Sequence, residues 1–374
     1  MYINQFNTPK ISLMTFAPKM QANTCLREGL VADTFIKSSP AFGKRNDTSN
    51  GDFLKELKGI HDPYSGCVMI SVTEMNKILL GLKKAKTPKK KLDILKPYED
   101  SMLPLERRAY KMLSTAIMKD DNISLNDVLN SKVKIAQKNI QEKQSRVFDL
   151  IEEKSEGLSQ DKREFIGRLV EQGRNNNFAI NNGQNKFSKA LFIKEIDEQK
   201  DVELKPIIAL AQRFPTSMSD VDSFIIRYAN STDKQIVERL ITPSTSTVEH
   251  IIPDSLGGKN EARNFILTSK GRNSERGDME IEDYIGIHPD IPEHCQEYMN
   301  DIVEIANGKG LKHHKWYPYV IKDTLNDNMG IDVSISDYKV ESKEAFKSIP
   351  SRLRKDYAHY IKPQKDNIGL DLLG

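Results

Sequence analysis

From about residue 51 to residue 240, apolar side chains return every three or four positions, a period that favours helices and disfavours sheet architectures. The pattern is plain in Phe53-Leu54-Leu57, in Met75-Ile78-Leu79-Leu82 and in Leu105-Tyr110-Leu113-Ile117. It is longest in Ser131–Glu156, where Val133, Ile135, Ile140, Val147, Leu150 and Ile151 stand in dense charge, as on a long amphipathic helix. Further helices are expected over 159–173, 187–199, 202–213, 219–229 and 232–241, with Asn182-Gly183 and Phe214-Pro215 as breaks. No fixed-period repeat stands out, which argues against a solenoid. Residues 51–240 therefore read as a helical domain acting as a scaffold.

A chain of 374 residues exceeds one ordinary domain, and its 38% hydrophobic content suffices for a core. The mean hydropathy of −0.56 describes a polar chain. Fifty-six Lys and Arg against 53 Asp and Glu leave +3, which excludes a protein that coats nucleic acid by bulk charge. Cys25, Cys67 and Cys295 lie far apart, giving neither a disulfide framework nor a zinc knuckle. No apolar run approaches the ~18–20 residues that span a bilayer, so no membrane partner is expected. Met1–Gln21 lacks the basic start and apolar run of a signal peptide. The expected location is cytoplasmic, with secretion without a Sec signal as the alternative. Residues 1–50, mixed in Asn, Thr, Ser, Pro and Gly, read as an extended or flexible leader.

Two features within the helical region stand apart. Lys83 to Lys91 carries six lysines in nine residues around Pro88 and reads as a solvated loop, with phosphate contact as the sharper alternative. His61-Asp62-Pro63-Tyr64-Ser65-Gly66-Cys67 reads as a compact turn, or as a segment that packs beside a functional site.

The stretch richest in chemistry is Thr245–Met279, TSTVEHIIPDSLGGKNEARNFILTSKGRNSERGDM. Thr245, Thr247 and Val248 favour a strand that delivers Glu249-His250 at its end. Pro253 then blocks the ladder, Gly257-Gly258 sits in a polar loop, and Asn264 opens a second extended run, Phe265-Ile266-Leu267-Thr268. A helix carrying Asn273 and Arg276 can start after Gly271. Strand alternation sends Glu249 and His250 to opposite faces.

These 35 residues resemble the HNH endonuclease family and its ββα-metal site. Glu249-His250 matches the acidic-His pair, Ile251-Ile252-Pro253 the hydrophobic-x-Pro that follows, Asn264 the central Asn, and Asn273 the final His/Asn position. The nine-residue step from Asn264 to Asn273 is similar to the HNH domain of RNA-guided CRISPR nucleases. The resemblance implies a metal-dependent phosphodiester hydrolase of bacterial or phage type, acting on nucleic acid, DNA favoured over RNA. In it His250 is the general base and Glu249 and Asn273 hold a divalent cation. Asn264 ties the strands and aims His250, and Arg276 contacts phosphate. Carboxylate, amide oxygen and water suit Mg²⁺ or Mn²⁺ better than zinc. An imidazole titrates near neutrality and so can take a proton from water. Lys259, Arg263, Lys270 and Arg272 add local charge for nucleic-acid binding. Two departures are visible: CxxC zinc knuckles are absent, and Glu249 replaces the commoner Asp.

The fold class expected is mainly α with a small α+β (ββα-metal HNH) module and a helical scaffold around it. The module with its flanking helices covers 241–330, including a helix from Pro292 to Asn307, and a helical segment and tail cover 331–374. His313-His314 beside Trp316 read as capping and packing residues, with a second metal site or a nucleic-acid contact as alternatives; His288, His294 and His359 read as structural or surface residues. The rival functions are an inactive nucleic-acid-binding or interaction protein on the same scaffold, and a secreted nuclease effector or toxin. A partner or immunity protein is left unspecified.

Overall fold

A computed structural model describes residues 57–175, 188–259, 262–308 and 317–335, all within one unit, Lys44–Gly374. They are mainly helical, with a two-stranded antiparallel sheet. The leader over 1–50, Cys25, Phe53-Leu54, Asn182-Gly183, His313-His314 with Trp316, His359 and the tail from 336 lie outside the described residues.

The helical period is realised almost element by element. Helix α1, Val72–Lys84, starts where the Ser71 hydroxyl accepts from the Glu74 N–H, and it buries Met75, Ile78 and Leu82. Helix α2 runs Pro88–Leu95, α3 Pro104–Lys119 and α4 Leu125–Asn130. The 23-residue α5, Val133–Ser155, is about 34 Å long. Helices α6 (Gln160–Asn175), α7 (Lys189–Asp197), α8 (Lys205–Ala211), α9 (Val221–Tyr228) and α10 (Asp233–Ile241) follow; α10 opens on a reciprocal Thr232–Gln235 capping box.

Two expectations change. The lysine cluster is not a loop, because Thr87 caps the Lys90 N–H and Pro88 takes the first helical position. Only residues 85–87 lie between α1 and α2, and Lys91 is buried. On α5 the buried stripe is Ala136, Ile140, Gln144, Val147, Phe148, Ile151 and Ser155. Ile135 and Leu150 point off that stripe and are exposed.

Three hydrophobic cores result. One joins α1–α4, α9, α10 and the start of α5. A second packs the far end of α5 against α6–α8, with Phe148, Phe192 and Phe214 edge to face at centroid distances of 4.9–6.0 Å. The third surrounds the sheet formed by β1, Ser246–His250, and β2, Phe265–Ser269. Helix α11 (Lys270–Arg276) follows β2 directly and adds no apolar side chain to this core, which is completed by α12 (Ile281–Ile287), α13 (Ile291–Asn307) and α14 (Tyr317–Asp323).

Residues 57–70 are not helical, although the period from Gly51 suggested a helix; Leu57 to Met69 belong to the third core and Ile70 to the first. His61 bridges Val68 across a turn, and Ile70 pairs in parallel with Thr245 at the foot of β1. Leu57, Ile60, Tyr64 and Met69 are buried with Ile251 and Ile266. No helix among the described residues is long and apolar enough to cross a membrane.

Candidate active site

Both strands are five residues long and pair in register from Ser246↔Ser269 to His250↔Phe265. The β-branched Thr247 and Val248 suit the pleat, and Pro253 ends it. Ser269 closes β2 and caps α11 through the Arg272 N–H, so strand passes into helix without a linker. A Cβ on Gly271 would lie 2.5 Å from Leu103 and 2.9 Å from Pro243, so α11 packs directly against the helical scaffold.

Asn264 closes the loop between the strands, and it is only 3% exposed. Its Oδ1 accepts from the Ile252 N–H at 2.7 Å, and its Nδ2 donates to the Ile252 carbonyl at 2.9 Å and the Lys259 carbonyl at 3.0 Å. The Ile251 N–H donates to the Asn264 backbone carbonyl at 2.9 Å. Both ends of the loop are thereby fixed just after His250. Gly258 makes room for this clamp: a Cβ there would stand 1.8 Å from the Ile252 oxygen and 2.8 Å from Asn264 Nδ2.

Glu249 and His250 leave β1 on opposite faces. His250 is half-buried, edge-on to its cross-strand partner Phe265 at 4.8 Å between centroids. Glu249 is 4% exposed and turns toward α11, where the Arg276 Nη1 donates to its Oε1. Arg276 is itself buried; its Nη1 also donates to the His250 carbonyl at 2.8 Å and its Nη2 to the Ile251 carbonyl. Burial pushes the Glu249 carboxyl up to about 7, outweighing Arg276, which pulls it down; Asp62 raises it further. Glu249 Oε2, Arg276 Nε and the Tyr64 hydroxyl are buried without a hydrogen-bond partner among the described residues.

Asn273 lies one turn before Arg276 on the same side of α11 and is half-buried. The cations expected at the site separate by environment. Lys259 is exposed, whereas Arg263 and Lys270 are half-buried. Arg272 pairs with Glu275 at 2.5 Å, so its charge is matched internally. Arg276, expected at a phosphate, is committed to Glu249 and two carbonyls in the interior.

Sequence reasoning assigned no role in the site to Asp62, and only raised the packing of its turn there as an alternative. Asp62 is fully buried and accepts from the Thr268 hydroxyl of β2 at 2.8 Å, the Tyr64 N–H at 3.0 Å and the Ser65 hydroxyl at 2.8 Å. The only local signal was the Asx turn of Asp62-Pro63-Tyr64. His61 donates its backbone N–H to Asp301 Oδ2 at 2.7 Å, and its Nδ1 lies 2.8 Å from the same oxygen. Residues 57–70 thus bind both the sheet and α13.

Among the described residues no three His, Cys, Asp or Glu side chains gather as a metal group. The pair on the two facing elements is of another kind, one carboxylate and one amide. The Glu249 Oε2, buried and unpartnered among the described residues, is a donor that a hard divalent cation could take, and Asn273 carries the amide oxygen that could be a second donor. No protein-family model matches the sequence, and neither a curated protein nor a solved structure matches it.

Proposed function

We propose that the chain is a metal-dependent HNH endonuclease that hydrolyses phosphodiester bonds, in DNA rather than RNA. The observation that supports this best is the build of residues 246–276. A two-stranded hairpin is closed by the Asn264 amide and passes directly into a helix; Glu249 faces that helix and His250 faces away.

His250 is the general base: its imidazole takes the proton of a water that attacks phosphorus. The backbone beside it is held on two sides, by Arg276 on the His250 and Ile251 carbonyls and by Asn264 on the two amides of Ile252. Fixed backbone on both sides of the base reduces the reorganisation needed to reach the reactive geometry. Glu249 and Asn273 would hold Mg²⁺ or Mn²⁺, which supplies charge stabilisation at the phosphoryl oxygens when bound. Arg276 in this reading is a positioning residue and not a phosphate ligand. Lys259, exposed at the loop where Arg263, Lys270 and Arg272 are half-buried, is the most accessible of the cations expected to meet the nucleic-acid backbone.

One observation favours the rival, an inactive nucleic-acid-binding scaffold: Glu249 already has a buried cationic partner. Incubating supercoiled plasmid with Mg²⁺ or Mn²⁺, with and without EDTA, separates the two. The nuclease nicks or linearises the plasmid and EDTA stops it; His250→Ala lowers the rate by about 10²–10⁴ and melts like wild type. Cleavage by His250→Ala at the wild-type rate would overturn the assignment, and binding without cleavage at any ion would establish the rival.

A further inference from the structure

The Glu249–Arg276 pair is unusual for what surrounds it. Both side chains are buried, at 4% and 1% exposure, yet each keeps one polar atom without a partner among the described residues, Glu249 Oε2 and Arg276 Nε. Only one of the two carboxylate oxygens is engaged by the guanidinium. Arg276 has other acceptors for the same nitrogens: Nη1 is shared between Glu249 and the His250 carbonyl, and Nη2 serves the Ile251 carbonyl. It can therefore release the carboxylate and remain hydrogen-bonded. Glu249, while ionised, cannot release Arg276 without another cation, because a buried carboxylate stripped of its counter-charge is strongly unfavourable.

From this asymmetry we propose that Arg276 is the resident cation at Glu249, displaced from the carboxylate by a divalent ion while it stays on the His250 and Ile251 carbonyls. The proposal rests on the nuclease reading and deepens it, making Arg276 a positioning residue that competes with the metal. The carboxylate keeps a cationic neighbour throughout, and the ion adds two positive charges beside the retained guanidinium, which sets the two cations in competition. The guanidinium also sits on the backbone of the general base, so ion occupancy at Glu249 is felt at the end of β1. The exchange would make the site bind its ion more weakly than the same carboxylate and amide without Arg276.

Isothermal titration of the whole protein with Mn²⁺ tests this without reference to activity. Arg276→Gln is expected to bind Mn²⁺ about tenfold or more tightly than wild type, since close charge pairs couple at that level or above. Glu249→Gln is expected to remove the binding in either background. Equal or weaker binding by Arg276→Gln would overturn the proposal and leave the metal site standing. Absence of Mn²⁺ binding in both proteins would overturn it together with the metal-dependent reading. A second measurement needs no folded variant: in wild-type protein labelled with ¹⁵N-arginine, Mg²⁺ should shift the slowly exchanging guanidinium signal of the buried Arg276 and speed its solvent exchange. Unchanged shift and exchange at saturating Mg²⁺ would overturn the proposal.

Discussion

Gly258→Ala tests the loop clamp with one methyl group. The added Cβ would stand 1.8 Å from the Ile252 oxygen, 2.7 Å from its carbon and 2.8 Å from Asn264 Nδ2. Ordinary contact begins near 3.4 Å, so the loop must move by about 1.6 Å against backbone that cannot swing aside. A shift of that size breaks the three Asn264 side-chain hydrogen bonds, each worth about 0.5–1.5 kcal/mol net. Asn264 is buried, so the amide would not recover those bonds from water. A loss of about 2–4 kcal/mol is expected, read as a lower urea midpoint at unchanged slope.

Gly257→Ala is the control. That glycine has φ +85° and no atom within 4 Å of a built Cβ, so only the left-handed backbone costs anything, about 1–2 kcal/mol. A double-mutant cycle then locates the effect. In an Asn264→Ala background the clamp is already gone, and Gly258→Ala should cost less by at least about 1 kcal/mol. A cost for Gly258→Ala within about 0.5 kcal/mol of zero, or the same cost in both backgrounds, would refute the clamp as the reason for that glycine.

Glu106 of α3 is buried, and desolvation holds its carboxyl above the ordinary carboxylate value although Arg239, 2.5 Å away, pulls it down. The folded state therefore binds its proton more tightly than the unfolded state; that stabilisation is complete below the ordinary carboxylate pKa and is lost as pH rises through the raised folded value. Urea midpoints of wild type relative to Glu106→Gln should fall as pH rises from about 4, and a difference that does not change with pH would contradict this. A fragment beginning at Ile241 lacks Leu57, Ile60, Tyr64 and Met69, whose burial supplies roughly 6–12 kcal/mol at about 1.5–3 kcal/mol each. That matches the whole stability of a domain, about 5–15 kcal/mol, so the fragment should show no cooperative thermal transition by circular dichroism; a sharp transition would refute the assignment of residues 57–69 to its core.

Local periodicity made the helices legible, because a buried stripe at three- and four-residue spacing is a property of a single segment. It also made the strand–loop–strand–helix order of 245–279 legible, together with the opposite faces of Glu249 and His250. The lysine cluster reads as a loop when Pro88 is weighed as a breaker, whereas Thr87-Pro88 is a helix start written in two residues. Ile135 was misplaced because one apolar residue off a stripe looks like part of it until its neighbours are known. What stayed hidden depended on distant parts of the chain. Arg276 looked like a free cation one turn past Asn273, and nothing local says that its guanidinium turns inward to a carboxylate 27 residues earlier. Asp62 and Thr268 are 206 positions apart.

Those distant contacts explain how so small a hairpin and helix hold together without cysteine pairs. Two five-residue strands and a seven-residue helix bury too little by themselves to be stable. Here the fastening is distributed: Asp62 grips Thr268 from one side, Tyr298 of α13 accepts the Leu267 N–H at 3.3 Å, and Arg276 and Asn264 tie the end of β1. Each tie uses a buried polar or charged side-chain group rather than apolar area alone, and polar ties fix geometry more narrowly than apolar packing does. The stability of the segment and the aim of His250 therefore depend on the same residues. Substitutions that loosen Asn264, Gly258 or Arg276 should lower both together, whereas His250→Ala should separate them.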